Sequence, residues 1–324
     1  MITFQTNGNL SNMTLNIQLF NESCFDAFKK LPDQSVDMVC VDPPYGTTTI
    51  DWDKTLDFEL MWKELERIVK PNGNIIMFGS QPFTSLLIVS KLDWFRYELV
   101  WNKNKCGSPG LSKYRPQKVH ENIMIFSKKS GGTYNPIMEE GGAYRREAKD
   151  KEKGYGKGIN RHGYGFKQNN NGVSENHGTR FPKSILHGSR NFSAQQTVHP
   201  TQKPTNVLNW LIMTYSNPGD TVIDFTMGSG SCGVAAKLTG RNFIGVEQDS
   251  EYFAIAKSRI EATEAAIVGP ENKQLSTQLP EGIQTTPGEK YEQGTLEKLR
   301  DGTYSSEEPD TSTDVQKNPL FKFE

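Results

Sequence analysis

Thr221-Val222-Ile223-Asp224-Phe225-Thr226-Met227-Gly228-Ser229-Gly230-Ser231-Cys232-Gly233 is the stretch whose reading decides the fold. Its first five residues read as a buried strand, the glycine-rich segment as a turn, and Val234 to Thr239 as a helix. After Gly240-Arg241-Asn242 a second strand, Phe243-Ile244-Gly245-Val246, ends in Glu247. Strand, turn, helix, strand and acid form one unit of a parallel α/β sheet, with a ligand held beyond the carboxyl ends of the strands. Glycine allows a ligand close to the backbone, and an acid about 20 positions further on suits a ribose diol. Gly228, Gly230 and Gly233 also satisfy G-x-G-x-x-G, so a nicotinamide or flavin site is the competing reading.

Far upstream, the apolar run Val36-Asp37-Met38-Val39-Cys40-Val41 reads as another buried strand and leads into Asp42-Pro43-Pro44-Tyr45. The two prolines remove two backbone donors and hold φ near about −65°, and Pro44 biases Pro43 towards an extended conformation. This makes a stiff loop with one carboxylate, free carbonyls and one aromatic face. Those groups can hold a flat heterocycle by an exocyclic amino group. A hydride-transfer site has no need of such a loop, so its presence beside Asp224 favours S-adenosylmethionine over a nicotinamide or flavin.

A third block, His199-Pro200-Thr201-Gln202-Lys203-Pro204, precedes the helical run Val207 to Tyr215. With three blocks in this order, the chain resembles the beta class of DNA amino-methyltransferases over roughly residues 19–262. Leu31 to Asp37, Lys70 to Gly73, Tyr97 to Lys103 and His120-Glu121-Asn122 belong to the same resemblance. It implies a doubly wound, mostly parallel sheet: the class I S-adenosylmethionine-dependent methyltransferase fold, circularly permuted. It also implies S-adenosylmethionine as cofactor and double-stranded DNA as partner. The family often dimerises, which leaves a homodimer open.

The resemblance and the residues together assign the site. Asp42, Pro43, Pro44 and Tyr45 are the catalytic loop, in which Asp42 and the Pro43 carbonyl accept the N–H bonds of the target amine and Tyr45 stacks on the extruded base. Asp224, Phe225, Gly228, Gly230 and Glu247 hold the cofactor, and Lys203 helps to fix the cofactor or its surrounding loop. The family's Asp, just before a Cys, contacts the cofactor's adenine ring. In Asn21-Glu22-Ser23-Cys24 its place is taken by Ser23, so either Glu22 substitutes or Ser23 makes a weaker contact. No metal is expected. A loop that begins with Asp favours N6 of adenine, whereas family members acting on N4 of cytosine more often begin with Ser. Two further readings remain: a DNA-binding module of the same fold with little chemistry, and protein glutamine methylation, whose loop normally starts with Asn.

Composition organises the rest. The chain has 324 residues and a formal net charge of −1, but that charge is uneven. From Lys103 to Lys203 there are nineteen Lys or Arg against seven Asp or Glu. After Ile260 there are six basic residues against thirteen acidic ones. Residues 1–18 are expected as an N-terminal extension, loose or an edge strand. Residues 19–129 and 198–265 are expected as the catalytic domain, 130–197 as a basic target-recognition insertion, and 266–324 as a disordered tail too poor in apolar groups to offset ordering entropy. In the insertion Arg145, Arg146, Lys149, Lys151, Lys153, Lys157, Arg161, Lys167, Arg180, Lys183 and Arg190 interleave with Tyr144, Tyr155, Tyr164 and Phe166. Most of these cations suit phosphates, and a few Arg or Asn suit base edges. A helix around Glu59 to Val69 is expected from Leu60, Trp62, Leu65 and Ile68, followed by a strand at Asn74 to Phe78. Cys24, Cys40, Cys106 and Cys232 stand apart, without zinc spacing. No apolar stretch is long enough to span a bilayer and the start lacks a signal pattern, so a cytoplasmic location is expected.

Overall fold

The computed structural model describes residues 2–7, 14–46, 56–103, 110, 112–129, 131–147, 173–187 and 202–263. In chain order these form β1 (Ile2–Asn7), β2 (Thr14–Phe20), α1 (Cys24–Phe28), β3 (Val36–Val41), α2 (Phe58–Ile68), β4 (Val69–Gly79), α3 (Phe83–Ser90), β5 (Phe95–Asn102) and β6 (His120–Ser127). Then come β7 (Glu139–Glu140), β8 (Tyr144–Glu147), β9 (Val173–Asn176), β10 (Thr179–Arg180), β11 (Ile185–His187), α4 (Thr205–Tyr215), β12 (Thr221–Asp224), α5 (Ser231–Leu238), β13 (Asn242–Val246) and α6 (Ser250–Ala262). No helix among the described residues is long and apolar enough to cross a membrane.

One sheet runs in the order β1-β2-β13-β12-β3-β4-β6-β5-β11. From β2 to β4 every pairing is parallel. β6 then pairs antiparallel with both β4 and β5. A parallel sheet covered on both faces requires strands that are apolar on both faces, and β3 obeys this. Met38 and Cys40 enter one core cluster with Val207, Leu211, Ala235 and Ile260 of α4, α5 and α6. Val39 and Val41 enter the other with Phe28, Trp62, Leu65 and Phe83 of α1, α2 and α3. The result is an α/β sandwich of three layers.

The chain leaves β12 for β13 on one side and β3 for β4 on the other. β12 and β3 are themselves neighbours, with Val222 opposite Met38 and Ile223 opposite Val39. Ligands of doubly wound sheets bind outside the carboxyl ends of the strands at such a reversal. Asp224 ends β12, and Asp42 follows β3 directly.

Local signals explain the helix ends. Asp57 caps α2, its carboxylate accepting the Leu60 N–H at 3.1 Å. The buried stripe of α2 is Met61, Trp62, Leu65 and Ile68. Leu60, expected in that stripe, is 48% exposed, and Met61 takes its place. Val69, expected in the helix, begins β4 instead. The helix expected from Val234 begins earlier, at Ser231. Residues 14–18, read as part of an extension, form the start of β2 within the sheet, and β1 is its edge strand. The expected tail 266–324 lies outside the described residues.

The expected target-recognition insertion contains two short antiparallel ribbons, β7 with β10 and β8 with β9, and β11, which joins the main sheet beside β5. Its root is tied to the core by asparagines. Asn135 donates its backbone N–H to the Thr214 carbonyl at 2.7 Å, and its Nδ2 to the Ser216 carbonyl at 3.1 Å. Asn74, in β4, donates Nδ2 to the carbonyls of Thr133 at 2.8 Å and Tyr215 at 2.9 Å. Buried acceptors left unpaired cost about 1–3 kcal/mol. Asn74→Ala is therefore expected to destabilise the protein by about 2 kcal/mol, read as a lower urea midpoint.

Candidate active site

The loop after β3 and the turn after β12 are joined directly. Thr226 Oγ1 donates to the Asp42 carbonyl at 3.1 Å, and the Thr226 N–H donates to Asp224 Oδ1 at 3.1 Å. Thr226 is a site residue that the sequence reading passed over, because its partner lies 184 positions away.

Asp42 is the centre of one half of the site. Its Oδ1 accepts the Tyr45 hydroxyl at 2.6 Å, and its Oδ2 accepts Lys203 Nζ. The Lys203 ammonium also lies 3.3 Å from Glu121 Oε2 and 5.0 Å from the centre of the Phe78 ring. Lys103 Nζ reaches Glu121 Oε1 at 2.8 Å. The ion pairs thus run Asp42, Lys203, Glu121, Lys103. The Lys203 side chain retains 7% of its exposure and that of Asp42 retains 24%, so the ammonium is sealed while the carboxylate can still meet a ligand. Lys203, expected to fix the cofactor or its surrounding loop, sets its charge against Asp42. Gln202 and Pro204 beside it are buried, and His199 to Thr201 lie outside the described residues. Glu121 belonged to a recognised block but carried no expected role.

Burial raises the Asp42 carboxyl above its ordinary value, against the pull of Lys203. Burial would lower Lys203, but Asp42 and Glu121 together raise it. Burial would raise Glu121 too, yet Lys203 and Lys103 overcome that and bring it to about 2. Tyr45 packs its ring 5.0 Å from that of Phe83, which fixes the loop against the layer of α1, α2 and α3. Pro43 is buried and Pro44 half-buried.

The other half of the site is acidic. Asp224 is buried, and its carboxyl stands well above the ordinary value, through burial first, with the charges of Asp42 and Glu247 adding to it. Burial likewise raises Glu247. Glu247 Oε2 accepts the Gly228 N–H at 2.9 Å and Oε1 accepts the Asp249 N–H at 2.9 Å, which leaves each oxygen a second lone pair for a diol. Phe225 is buried against Phe28, ring centres 5.3 Å apart. Gly228 and Gly230 both adopt positive φ, 49° and 78°. A Cβ at Gly230 would stand 2.9 Å from Ala256 Cα, so this glycine admits helix α6, not only a ligand.

Ser23 serves as the cap of α1: its Oγ accepts the Asp26 N–H at 3.2 Å and donates to Asp26 Oδ2 at 2.8 Å. Glu22 differs. Its Oε2 pairs with Lys30, whereas Oε1 is buried without a hydrogen-bond partner among the described residues. Next to it, Asn21 Nδ2 donates to the Glu247 carbonyl at 2.9 Å. Three buried or half-buried acids (Asp42, Asp224 and Glu247) thus stand with Lys203 near the strand ends, and Glu22 offers an open acceptor beside them. A cationic ligand that also carries a diol and an aromatic amine fits this donor set. S-adenosylmethionine, with its sulfonium and ammonium charges, ribose and adenine, is such a molecule.

Of the cations expected in the target-recognition segment, Arg180 of the β7–β10 ribbon is folded onto the β8–β9 ribbon. It stands 5.0 Å over the Tyr144 ring, with Nη1 on the Thr179 carbonyl at 2.8 Å. Lys183 pairs with Glu139 at 3.6 Å. Lys149 to Lys167 and Arg190 lie outside the described residues.

The charge network yields a prediction. Glu121 contributes stability that is fully present above its ordinary 4.5 and is lost as pH falls towards about 2. Lys203→Met leaves two buried carboxylates without their shared cation, a loss of about 3–5 kcal/mol. Part of that loss is expected to be recovered on mild acidification, as Asp42 and Glu121 take up protons. Unfolding temperature followed across acid pH would show the variant narrowing its deficit; a deficit independent of pH would contradict the network.

A family model described as DNA methylase, covering both N6 and N4 types, matches residues 36–258. The Type II methyltransferase M1.MboII of Moraxella bovis is 32% identical over 242 residues, which cover 71% of this chain and 91% of that enzyme. The Type II methyltransferase M.HinfI of Haemophilus influenzae is 28% identical over 269 residues, covering 73% of this chain and 66% of that enzyme. The crystal structure of the M1.HpyAVI–SAM complex superposes with a TM-score of 0.51 at 24% identity, covering 75% of this chain and 98% of that one, a likeness of fold. The chain belongs to the DNA methylase family and is an S-adenosylmethionine-dependent DNA methyltransferase.

Proposed function

We propose that the protein methylates N6 of adenine in double-stranded DNA, at a sequence chosen by the insertion 130–197. The observation that carries this reading is the Asp42 carboxylate, held by Lys203 and Tyr45 yet still 24% open at the switch point of the sheet. An exocyclic amine is a poor nucleophile because its lone pair is delocalised into the ring. Asp42 and the Pro43 carbonyl accept its two N–H bonds, which favours a pyramidal nitrogen and frees the lone pair. S-adenosylmethionine supplies a methyl group whose bond to sulfur breaks as the bond to nitrogen forms. Asp42, whose carboxyl stands above its ordinary value, is suited to receive the proton that the methylated amine releases. No covalent enzyme intermediate is needed, so positioning supplies much of the acceleration. The amine is inaccessible in a stacked duplex, so the base is extruded and Tyr45 lies against its face.

Asp224, Phe225, Gly228, Gly230 and Glu247 hold the cofactor, with the Glu247 carboxylate on the ribose. Glu22 Oε1 takes the adenine amine in place of the family's Asp, since the Ser23 hydroxyl is committed to capping α1. Lys203 orients Asp42. The kinship with Type II enzymes supports the modification half of a restriction-modification pair, working in the cytoplasm, and a homodimer is a further assembly to test. The N4-cytosine reading is set aside because the loop begins with Asp.

Nucleoside mass spectrometry on DNA from an expressing host is expected to find N6-methyladenine; N4-methylcytosine alone would overturn the adenine assignment. Asp42→Ala is expected to abolish methylation while calorimetry still records S-adenosylmethionine binding. Glu22→Ala is expected to weaken that binding by about 1.5–3 kcal/mol, the worth of a hydrogen bond to a charged acceptor, whereas Ser23→Ala should chiefly lower the unfolding temperature. Equal cofactor affinity in Glu22→Ala and the parent would remove Glu22 from the site.

A further inference from the structure

The segment between β5 and β6 belongs neither to the catalytic loop nor to the expected insertion, yet it sits at the same edge. β5 ends where β6 begins, with Asn102 opposite His120. Glu121 of the charge network follows His120 directly. Between Lys103 and His120 the sequence carries five cations (Lys103, Lys105, Lys113, Arg115 and Lys118) and no acidic residue. Lys118 Nζ donates to Ser80 Oγ, just beyond β4, which pins the end of the segment beside the site. Burial, and then the charges of Lys103 and Arg115, hold the Lys118 ammonium below its ordinary value, so these cations stand near one another. Lys113 and Arg115 are exposed and have no ion-pair partner among the described residues. Between them stands Tyr114, 85% exposed, the most exposed large hydrophobic side chain among those described.

Cations without counter-ions gain by releasing the ions condensed on a polyanion, and an unburied aromatic between them can stack on an unpaired base. Lys118 on Ser80, just beyond β4, and Glu121 on Lys203 tie the end of this segment to the edge of the sheet that carries Asp42, and extrusion of a base there would leave its neighbours unstacked.

We propose that residues 112–119 form a second DNA-contacting element, in which Lys113 and Arg115 grip backbone phosphates beside the target and Tyr114 stacks on a base exposed by the extrusion. This rests on the DNA reading above, and the closing experiment separates the two. The full-length protein is titrated with a mixed-sequence duplex at several salt concentrations, and methyl transfer is measured with DNA and with cofactor varied in turn. The double variant Lys113→Gln, Arg115→Gln is expected to lower the slope of log affinity against log salt by about 1.8, about 0.9 for each lost phosphate contact. Tyr114→Ala is expected to raise KM for DNA about 5- to 100-fold, the range of one base–aromatic stack, with KM for S-adenosylmethionine unchanged and Tyr114→Phe near the parent. Parent-like salt slope and KM in both variants overturn the proposal and leave the DNA reading standing. A parent protein that neither binds nor methylates duplex DNA overturns both.

Discussion

Lys203 is buried between two carboxylates from other parts of the chain, and the active edge of the sheet is organised around it. The charge could not be placed there alone, since moving an ammonium out of water costs several kcal/mol. Asp42 and Glu121 offset that cost, and Lys103 in turn balances Glu121. The pairing joins the end of β3, the start of β6 and the segment entering α4, so the network forms only when the sheet has its full order. It also gives Asp42 a fixed orientation, while burial, against the pull of Lys203, keeps its carboxyl above its ordinary value.

The two sides of the site are electrostatic complements. On one side a single ammonium is shared by two carboxylates; on the other stand the buried Asp224 and the half-buried Glu247, both raised by burial first, and Asp224 also by the charges of Asp42 and Glu247. A cationic cofactor held by Asp224 and Glu247 would relieve the second group. Backbone geometry serves the same end. The turn at Gly228 gives an N–H to Glu247, and Gly230 lets α6 close against the turn, with Arg259 donating to the Ser229 carbonyl behind it. The glycine fingerprint is thus partly a packing device, which explains why G-x-G-x-x-G by itself does not name a cofactor.

The expected target-recognition segment is rooted by Asn74 and Asn135 on the β4 and α4 framework. Arg180, a candidate from composition, is spent on joining its β7–β10 ribbon to Tyr144 of the β8–β9 ribbon. Cation count alone therefore overstates the number of phosphate contacts in a basic segment, and the free cations of residues 112–119 lie outside the segment that composition highlighted.

The sequence by itself determined the strands read at 36–41, 221–225 and 243–246, which the structure bounds at 36–41, 221–224 and 242–246, because strands buried on both faces are largely apolar and leave a recognisable run. It also determined the loop Asp42 to Tyr45 and the acid at 247, because prolines, glycines and acids at strand ends act through local backbone geometry. Helix faces were legible less well: Leu60 and Met61 are both apolar, and only packing against the sheet decides which one turns inward. Tertiary structure alone decided that Lys203 meets Asp42, that Glu121 completes the network, and that Thr226 ties the two loops. The reason is physical. Those contacts join residues up to 184 positions apart, and they exist only where strand order and register bring the carboxyl ends of β3 and β12 side by side.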